Sequence, residues 1–152
     1  MRRLFLSLAV ALGAAFSVIG AAAAATADQE AAFVAAYKTA FEAKDAAALQ
    51  ALLYSGGDPM AMEFYGQMMT AEMADGKLTS IELQDLTPDD IANASTVQEM
   101  PSGKMQLTPK PYKKLVLKVD TKTADTTSSS NSEVFVAEDG GKIVIAVPAP
   151  AK

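Results

Sequence analysis

Two tyrosines and a group of methionines are the residues of this sequence whose types and spacing could do chemistry. Tyr37 and Tyr65 fall on the apolar faces of two predicted helices, so both hydroxyls could point into one shared cavity. The segment DPMAMEFYGQMMTAEM, residues 58–73, is rich in methionine, whose soft sulfur suits Cu(I). The same methionines form two helical stripes, which favours a packed core or a pocket wall over a metal site. They are Met60, Met62, Met68, Met69 and Met73.

Carboxylates form one cluster, Asp85, Asp89 and Asp90, that could bind a hard cation such as Ca²⁺. It lacks the alternating oxygen ligands and the turn glycine of a calcium loop. Thr87 and Asp90 instead have the spacing of a capping box, which predicts the start of a short helix. Asp58, just before Pro59, is likewise interpreted as a helix cap. We therefore predict no metal site and no cofactor.

The composition excludes several classes of function. The sequence has no His and no Cys, so it cannot form Ser-His-Asp or Cys-His triads or the usual zinc sites. Its formal net charge is −5, and the only arginines are Arg2 and Arg3. An acidic domain without arginine is a poor partner for nucleic acid and for anionic membrane surfaces.

The N-terminal segment MRRLFLSLAVALGAAFSVIGAAAAATA, residues 1–27, has the three parts of a secretory signal peptide. A positive start precedes an apolar run, and Ala25-Thr26-Ala27 offers an A-x-A cleavage site. We predict a mature chain that begins near Asp28 and resides in the periplasm or outside the cell, without membrane insertion. An uncleaved anchor and a twin-arginine signal are the alternatives.

The first half of the predicted mature chain is helical. Residues 28–54 place aromatic side chains every fourth position, with a break and a helix cap at Asp45. The segment SGGDP, residues 55–59, predicts the end of this helical region, and a second helix is predicted over residues 59–74. Residues 77–86 alternate apolar and polar side chains, which predicts a strand with one wet face.

The second half is predicted to be mostly strands. Residues 112–120 alternate, and EVFVAEDGGKIVIAVP, residues 133–148, predicts a hairpin that turns at Asp139-Gly140-Gly141. Residues 121–132 are polar and predict a mobile loop or a long hairpin end. Residues 149–152 are interpreted as a disordered tail. Residues 28–148 then make one α+β domain.

Two segments carry a resemblance to a known superfamily: FVAAYKTAFEAKDAAALQALLY, residues 33–54, and GGKIVIAVP, residues 140–148. With the order of elements, they resemble the nuclear-transport-factor-two-like superfamily, which includes ketosteroid isomerase and polyketide cyclases. The resemblance implies an α+β fold in which two N-terminal helices and a short helix pack on a curved, cone-like antiparallel sheet. It also implies a ligand pocket, for which we predict as lining residues Phe33, Tyr37, Phe41, Met62, Tyr65 and Met69.

The resemblance does not supply a catalytic site. Isomerase-type relatives use a pocket Asp as base with a Tyr and a protonated Asp as donors, and no matching motif is present. The favoured hypothesis is a non-catalytic domain that binds an apolar small molecule or serves an interaction in the cell envelope. The alternatives are a His-free isomerase or dehydratase, a Cu(I) binder, and a homodimeric assembly protein that uses an open sheet face at residues 115–119 and 143–147.

Overall fold

The computed structural model describes residues 25–100, 103–122 and 125–151. Four helices lie in the described chain, and each begins at a residue with a capping side chain. They are α1 (Ala27–Glu42), α2 (Ala46–Gln50), α3 (Pro59–Asp75) and α4 (Pro88–Ser95). Their N-caps are Thr26, Asp45, Asp58 and Thr87, so the predicted caps at Asp45, Asp58 and Thr87 are confirmed.

The strands form two antiparallel sheets. In chain order they are β1 (Gly76–Asp85), β2 (Gln98–Met100), β3 (Gly103–Thr108), β4 (Lys113–Lys122), β5 (Thr127–Asp139), β6 (Lys142–Ile145) and β7 (Val147–Pro150). The first sheet has the order β1-β4-β5-β6 and the second the order β2-β3-β7. The α+β prediction is confirmed, with N-terminal helices packed on antiparallel sheets. The strands divide between two sheets, and cone-like curvature stays a prediction.

The core lies between the helices and the inner face of the first sheet. On α1, side chains four residues apart, Phe33, Tyr37 and Phe41, are buried, as their spacing predicts. They pack in one cluster with the alternating β4 residues Leu115, Leu117 and Val119. That sheet face is therefore covered, and a homodimer through residues 115–119 and 143–147 lacks the exposed apolar surface that it requires.

The hairpin between β5 and β6 is confirmed. Its turn contains Gly140 and Gly141, whose φ angles of 57° and 82° favour glycine. Within residues 121–132, the described part forms the long hairpin end that was one of the two predictions, because Lys122 of β4 pairs with Thr127 of β5; residues 123 and 124 lie outside the described residues. A mobile loop over the whole segment was wrong.

The predicted disordered tail was also wrong for residues 149–151. Ala149 is buried and pairs with Gln106 of β3, and the Ala151 amide donates to the Lys104 carbonyl at 2.9 Å. At the other end, most of the predicted signal peptide lies outside the described residues. Within the described chain, no helix has the length and apolarity needed to cross a membrane.

Candidate functional site

An open groove runs between α3 and the second sheet, and we call it the α3 groove. It consists of two adjoining hollows of about 350 Å³ and 290 Å³, which share Tyr65, Gln98, Met105 and Pro148. The first hollow extends along α3 past Met60, Ala61 and Phe64. The second passes between α4 and β5 and adds Met68, Asn93, Thr96, Gln106, Leu107, Glu133, Val134 and Phe135.

Three large apolar side chains of α3 stand exposed along this groove. Met60 is 70% exposed, Phe64 63% and Met68 40%. Their spacing of four residues places them in one stripe on the helix. Phe64 also contacts the Tyr65 ring edge to face, with centroids 6.2 Å apart. An exposed apolar stripe beside a concave surface is typical of a binding site.

The N-terminus of α3 is fixed to the second sheet. The Asp58 carboxylate accepts hydrogen bonds from the amides of Met60 and Ala61, both at 3.1 Å. The Asp58 amide donates to the Pro148 carbonyl at 2.9 Å, which joins the helix start to β7. The cap therefore also sets the distance between the two walls of the groove.

The C-terminus of α3 is held by Lys44, a residue from the turn between α1 and α2. Its Nζ donates to the Gly76 carbonyl at 2.7 Å and also to the Met73 carbonyl. The ammonium lies 5.3 Å from the centroid of the Phe41 ring. Since the last turn of α3 contains no basic residue, Lys44 supplies the positive charge that stabilises a helix C-terminus.

The residues predicted to line a pocket separate into two groups. Phe33, Tyr37, Phe41 and Met69 are buried in the hydrophobic core, whereas Met62 and Tyr65 are half-buried against it. Tyr65 borders both hollows of the α3 groove and is the predicted residue that the structure brings to this site.

Sequence reasoning missed the opposite wall of the groove, which includes Met105 and Pro148. Met60 and Phe64 could have indicated the groove. They lie on the second apolar stripe of the helix, which is not needed to pack against α1 and β4. Met69 and Met73 are buried in the core, as expected of gap-filling side chains.

A half-buried carboxylate lies near Tyr37. Burial raises the pKa of Glu72, and a hydrogen bond with Ser132 opposes this shift. Burial, and next the Glu72 charge, raise the pKa of Tyr37 above its usual range. The Tyr37 hydroxyl is fully buried and has no hydrogen-bond partner among the described residues, so a ligand in the groove cannot reach it.

The carboxylates that border the groove are already engaged. Asp58 caps α3, and Glu133 forms an ion pair with Lys114 at 3.1 Å. The Tyr65 hydroxyl is neutral near pH 7, because burial raises its pKa further. The groove thus offers apolar contact and a tyrosine, an arrangement suited to binding.

The acidic cluster at the start of α4 behaves as a helix start. Asp90 accepts from the Thr87 amide at 2.9 Å, and its carboxylate also pairs with Lys114 at 3.2 Å. Asp85 is highly exposed and lies 3.8 Å from the Lys113 ammonium. Over residues 25–100, 103–122 and 125–151, no group of three or more carboxylates is placed to hold a metal ion.

No protein-family model matches the chain, and no characterised protein matches its sequence. Among solved structures, the chain is similar to the helical cell shape determining protein Pgp2 from Campylobacter jejuni. The two are 14% identical, with a TM-score of 0.46 over 82% of this chain and 42% of Pgp2. The chain thus spans less than half of that protein's length. This distant similarity assigns neither a family nor a function.

Proposed function

We propose that the chain is an exported, non-catalytic binding domain that takes an apolar ligand in the α3 groove. The observation that carries the proposal is the exposed stripe of Met60, Phe64 and Met68 beside a concave surface. Large apolar side chains left in water on a small domain are most simply explained by a ligand or a partner that covers them.

The energetic gain from such a ligand is appreciable. Burying a large apolar side chain stabilises a complex by about 1.5–3 kcal/mol. Three such residues along α3, with Met105 and Pro148 opposite, provide enough contact to offset part of the entropy lost on association. The same surface suits an apolar small molecule or the apolar side chains of an envelope protein.

The non-catalytic part of the proposal rests on the engaged carboxylates of the groove. Asp58 and Glu133 are occupied by a helix cap and an ion pair, and the Tyr37 hydroxyl is buried away from the groove. Export is supported by the signal-like pattern of residues 1–27.

The binding proposal is tested with the apolar dye Nile red, whose fluorescence rises when it leaves water. Phe64→Glu and Met68→Glu place a charge in the groove, and we expect each to weaken dye binding about tenfold or more. Ala36→Glu adds the same charge to the exposed side of α1 and should bind dye as the natural protein does. Equal binding by all four proteins would overturn the proposal.

A further inference from the structure

The edge of β5 is open over half of its length. β6 pairs with β5 only from Val136 to Asp139. The chain then leaves the first sheet, and β7 pairs with β3 in the second sheet. Among the residues that the structure describes, residues 127–134 of β5 therefore have a partner strand, β4, on one side alone.

The direction of the free backbone groups follows from two hydrogen bonds. The Phe135 carbonyl accepts from Ala146 on the β6 side, and the Val136 carbonyl accepts from Tyr112 on the β4 side. Because the groups alternate along an antiparallel strand, the amides and carbonyls of Ser129, Asn131 and Glu133 point to the open edge. No hydrogen bond between described residues occupies them.

This open edge lacks three common forms of edge protection. Natural sheets block exposed edges with lysine, proline or a bulge. The segment TSSSNSEV, residues 127–134, contains neither residue and pairs with β4 in continuous register. Its residues 128–131 are exposed. The edge is thus available to another strand.

The open edge adjoins the α3 groove. Glu133, Val134 and Phe135 border the same hollow as Tyr65 and Met68. On the inner face of β5, Val134 is buried and Ser132 reaches Glu72 of α3. In a strand added to this edge, the side chains opposite Ser132 and Val134 would face α3.

The charge beside the open edge indicates which side chains an added strand should carry. Among the described residues, no lysine lies within ion-pair distance of Glu72. In an added strand, the side chain opposite Ser132 would lie beside this half-buried carboxylate, because Ser132 interacts with Glu72. The side chain opposite Val134 would enter the hollow that Val134 shares with Tyr65 and Met68. A cation suits the first position and a large apolar group the second.

We infer that β5 binds an extended segment of a partner protein as an added strand, with a Lys or Arg two positions from a large apolar residue. This inference rests on the proposed function, because the apolar residue of the partner occupies the α3 groove. The outward groups of Ser129, Asn131 and Glu133 give main-chain hydrogen bonds, and Glu72 and the groove select the side chains.

The test begins with phage display of random ten-residue peptides on the full chain, expressed from Met1 and carrying a single biotin on an acceptor peptide fused to its C-terminus. Lysine labelling is avoided, because Lys114 pairs with Glu133 at the border of the groove and Lys44 anchors the end of α3. Selected sequences are synthesised with fluorescein and measured by anisotropy. We expect them to share a basic residue two positions from a large apolar residue.

Matched variants separate the edge from the groove. Asn131→Pro removes one outward amide and should weaken peptide binding about tenfold or more. Asn131→Ala keeps that amide and should bind as the natural protein does. Glu72→Gln should weaken basic peptides and remove the preference for Lys or Arg. Met68→Glu should abolish binding, which keeps the test decisive if the proline variant does not fold.

Failure of this inference differs from failure of the proposed function. If Nile red binds in the groove but no peptide does, or if peptides bind Asn131→Pro and Asn131→Ala equally, strand addition is overturned and the binding groove stands. If neither dye nor peptide binds, both proposals fail. A dimer that Asn131→Pro dissociates, without peptide binding, would assign the edge to a second copy and overturn the partner segment.

Discussion

The carbonyl of Phe135 accepts a hydrogen bond from the amide of Ala146, the residue that follows β6, at 2.9 Å. Beyond it, alternate amides of β5 face β4 or face the open edge. We expect Asn131→Pro to change the free energy of unfolding by less than about 1 kcal/mol, because its amide faces outward. Ser130→Pro should destabilise by about 1–3 kcal/mol more, because it removes a bond to β4.

Urea unfolding of both proline variants measures this difference. A similar loss of stability in the two variants would mean that the open edge is covered in the folded protein.

Lys44 is expected to stabilise the fold through the end of α3. Lys44→Met keeps an unbranched side chain but removes the bonds to the Met73 and Gly76 carbonyls and the ammonium beside the Phe41 ring. Hydrogen bonds to a charged group contribute about 1.5–3 kcal/mol, and we expect a loss in that range by urea unfolding. Lys38→Met, which removes an exposed ion pair with Glu42, is the control and should cost less than about 0.5 kcal/mol. Equal effects would contradict the role of Lys44.

Tyr37→Phe is expected to be neutral or stabilising. The hydroxyl is buried and no described residue hydrogen-bonds to it, so its removal relieves a desolvation penalty of about 1–3 kcal/mol and leaves the ring in place. Tyr37→Ala should cost about 3–5 kcal/mol, since it also empties the core. Thermal unfolding compares the two variants. A clear loss of stability in Tyr37→Phe would show that the hydroxyl has a partner.

The half-buried carboxyl of Glu72 should make the free energy of unfolding depend on pH. Burial raises the pKa of this carboxyl in the folded state, so its protonated form favours folding. That contribution is complete below the unfolded pKa of about 4.3 and is lost as the pH rises through the folded value. Glu72→Gln should therefore be more stable than the natural protein near neutral pH, with the advantage vanishing in acid. Glu63→Gln, at an exposed position of the same helix, is the control and should show no such crossover.

The capping box of α1 predicts where the proposed signal peptide would be removed. Thr26 accepts from the Gln29 amide at 3.2 Å, and its own amide donates to the Gln29 side chain at 2.7 Å. Cleavage after Ala27 would remove this cap, at a cost of about 0.5–2 kcal/mol. Since small residues extend upstream, we expect cleavage at or before Ala25. The intact mass of the protein recovered from the cell envelope identifies its first residue. A chain that begins at Asp28 would contradict the expectation.

The helices and their caps were predictable because their signals are local. The cap at Asp58, the capping box of Thr87 and Asp90, and the aromatic spacing of α1 each depend on residues within one turn of each other. The hairpin at Gly140 and Gly141 is local for the same reason.

The errors arose where pairing between distant segments decides the structure. Residues 127–132 are polar and have weak strand propensity, but β4 extends far enough to pair with them. Ala149 was predicted to lie in a tail, yet it pairs with Gln106 of β3, more than 40 positions upstream. The α3 groove escaped prediction likewise, because Met105 and Pro148 meet Tyr65 only through tertiary packing.

The two anchors of α3 have a consequence for selectivity. Asp58 ties one end of the helix to Pro148, and Lys44 ties the other end to the turn after α1. Both ends of α3 are therefore held in place, and the width of the α3 groove is fixed. In the proposed complex, the side-chain rotamers of Phe64 and Met68, rather than movement of the helix, would then determine which ligands fit.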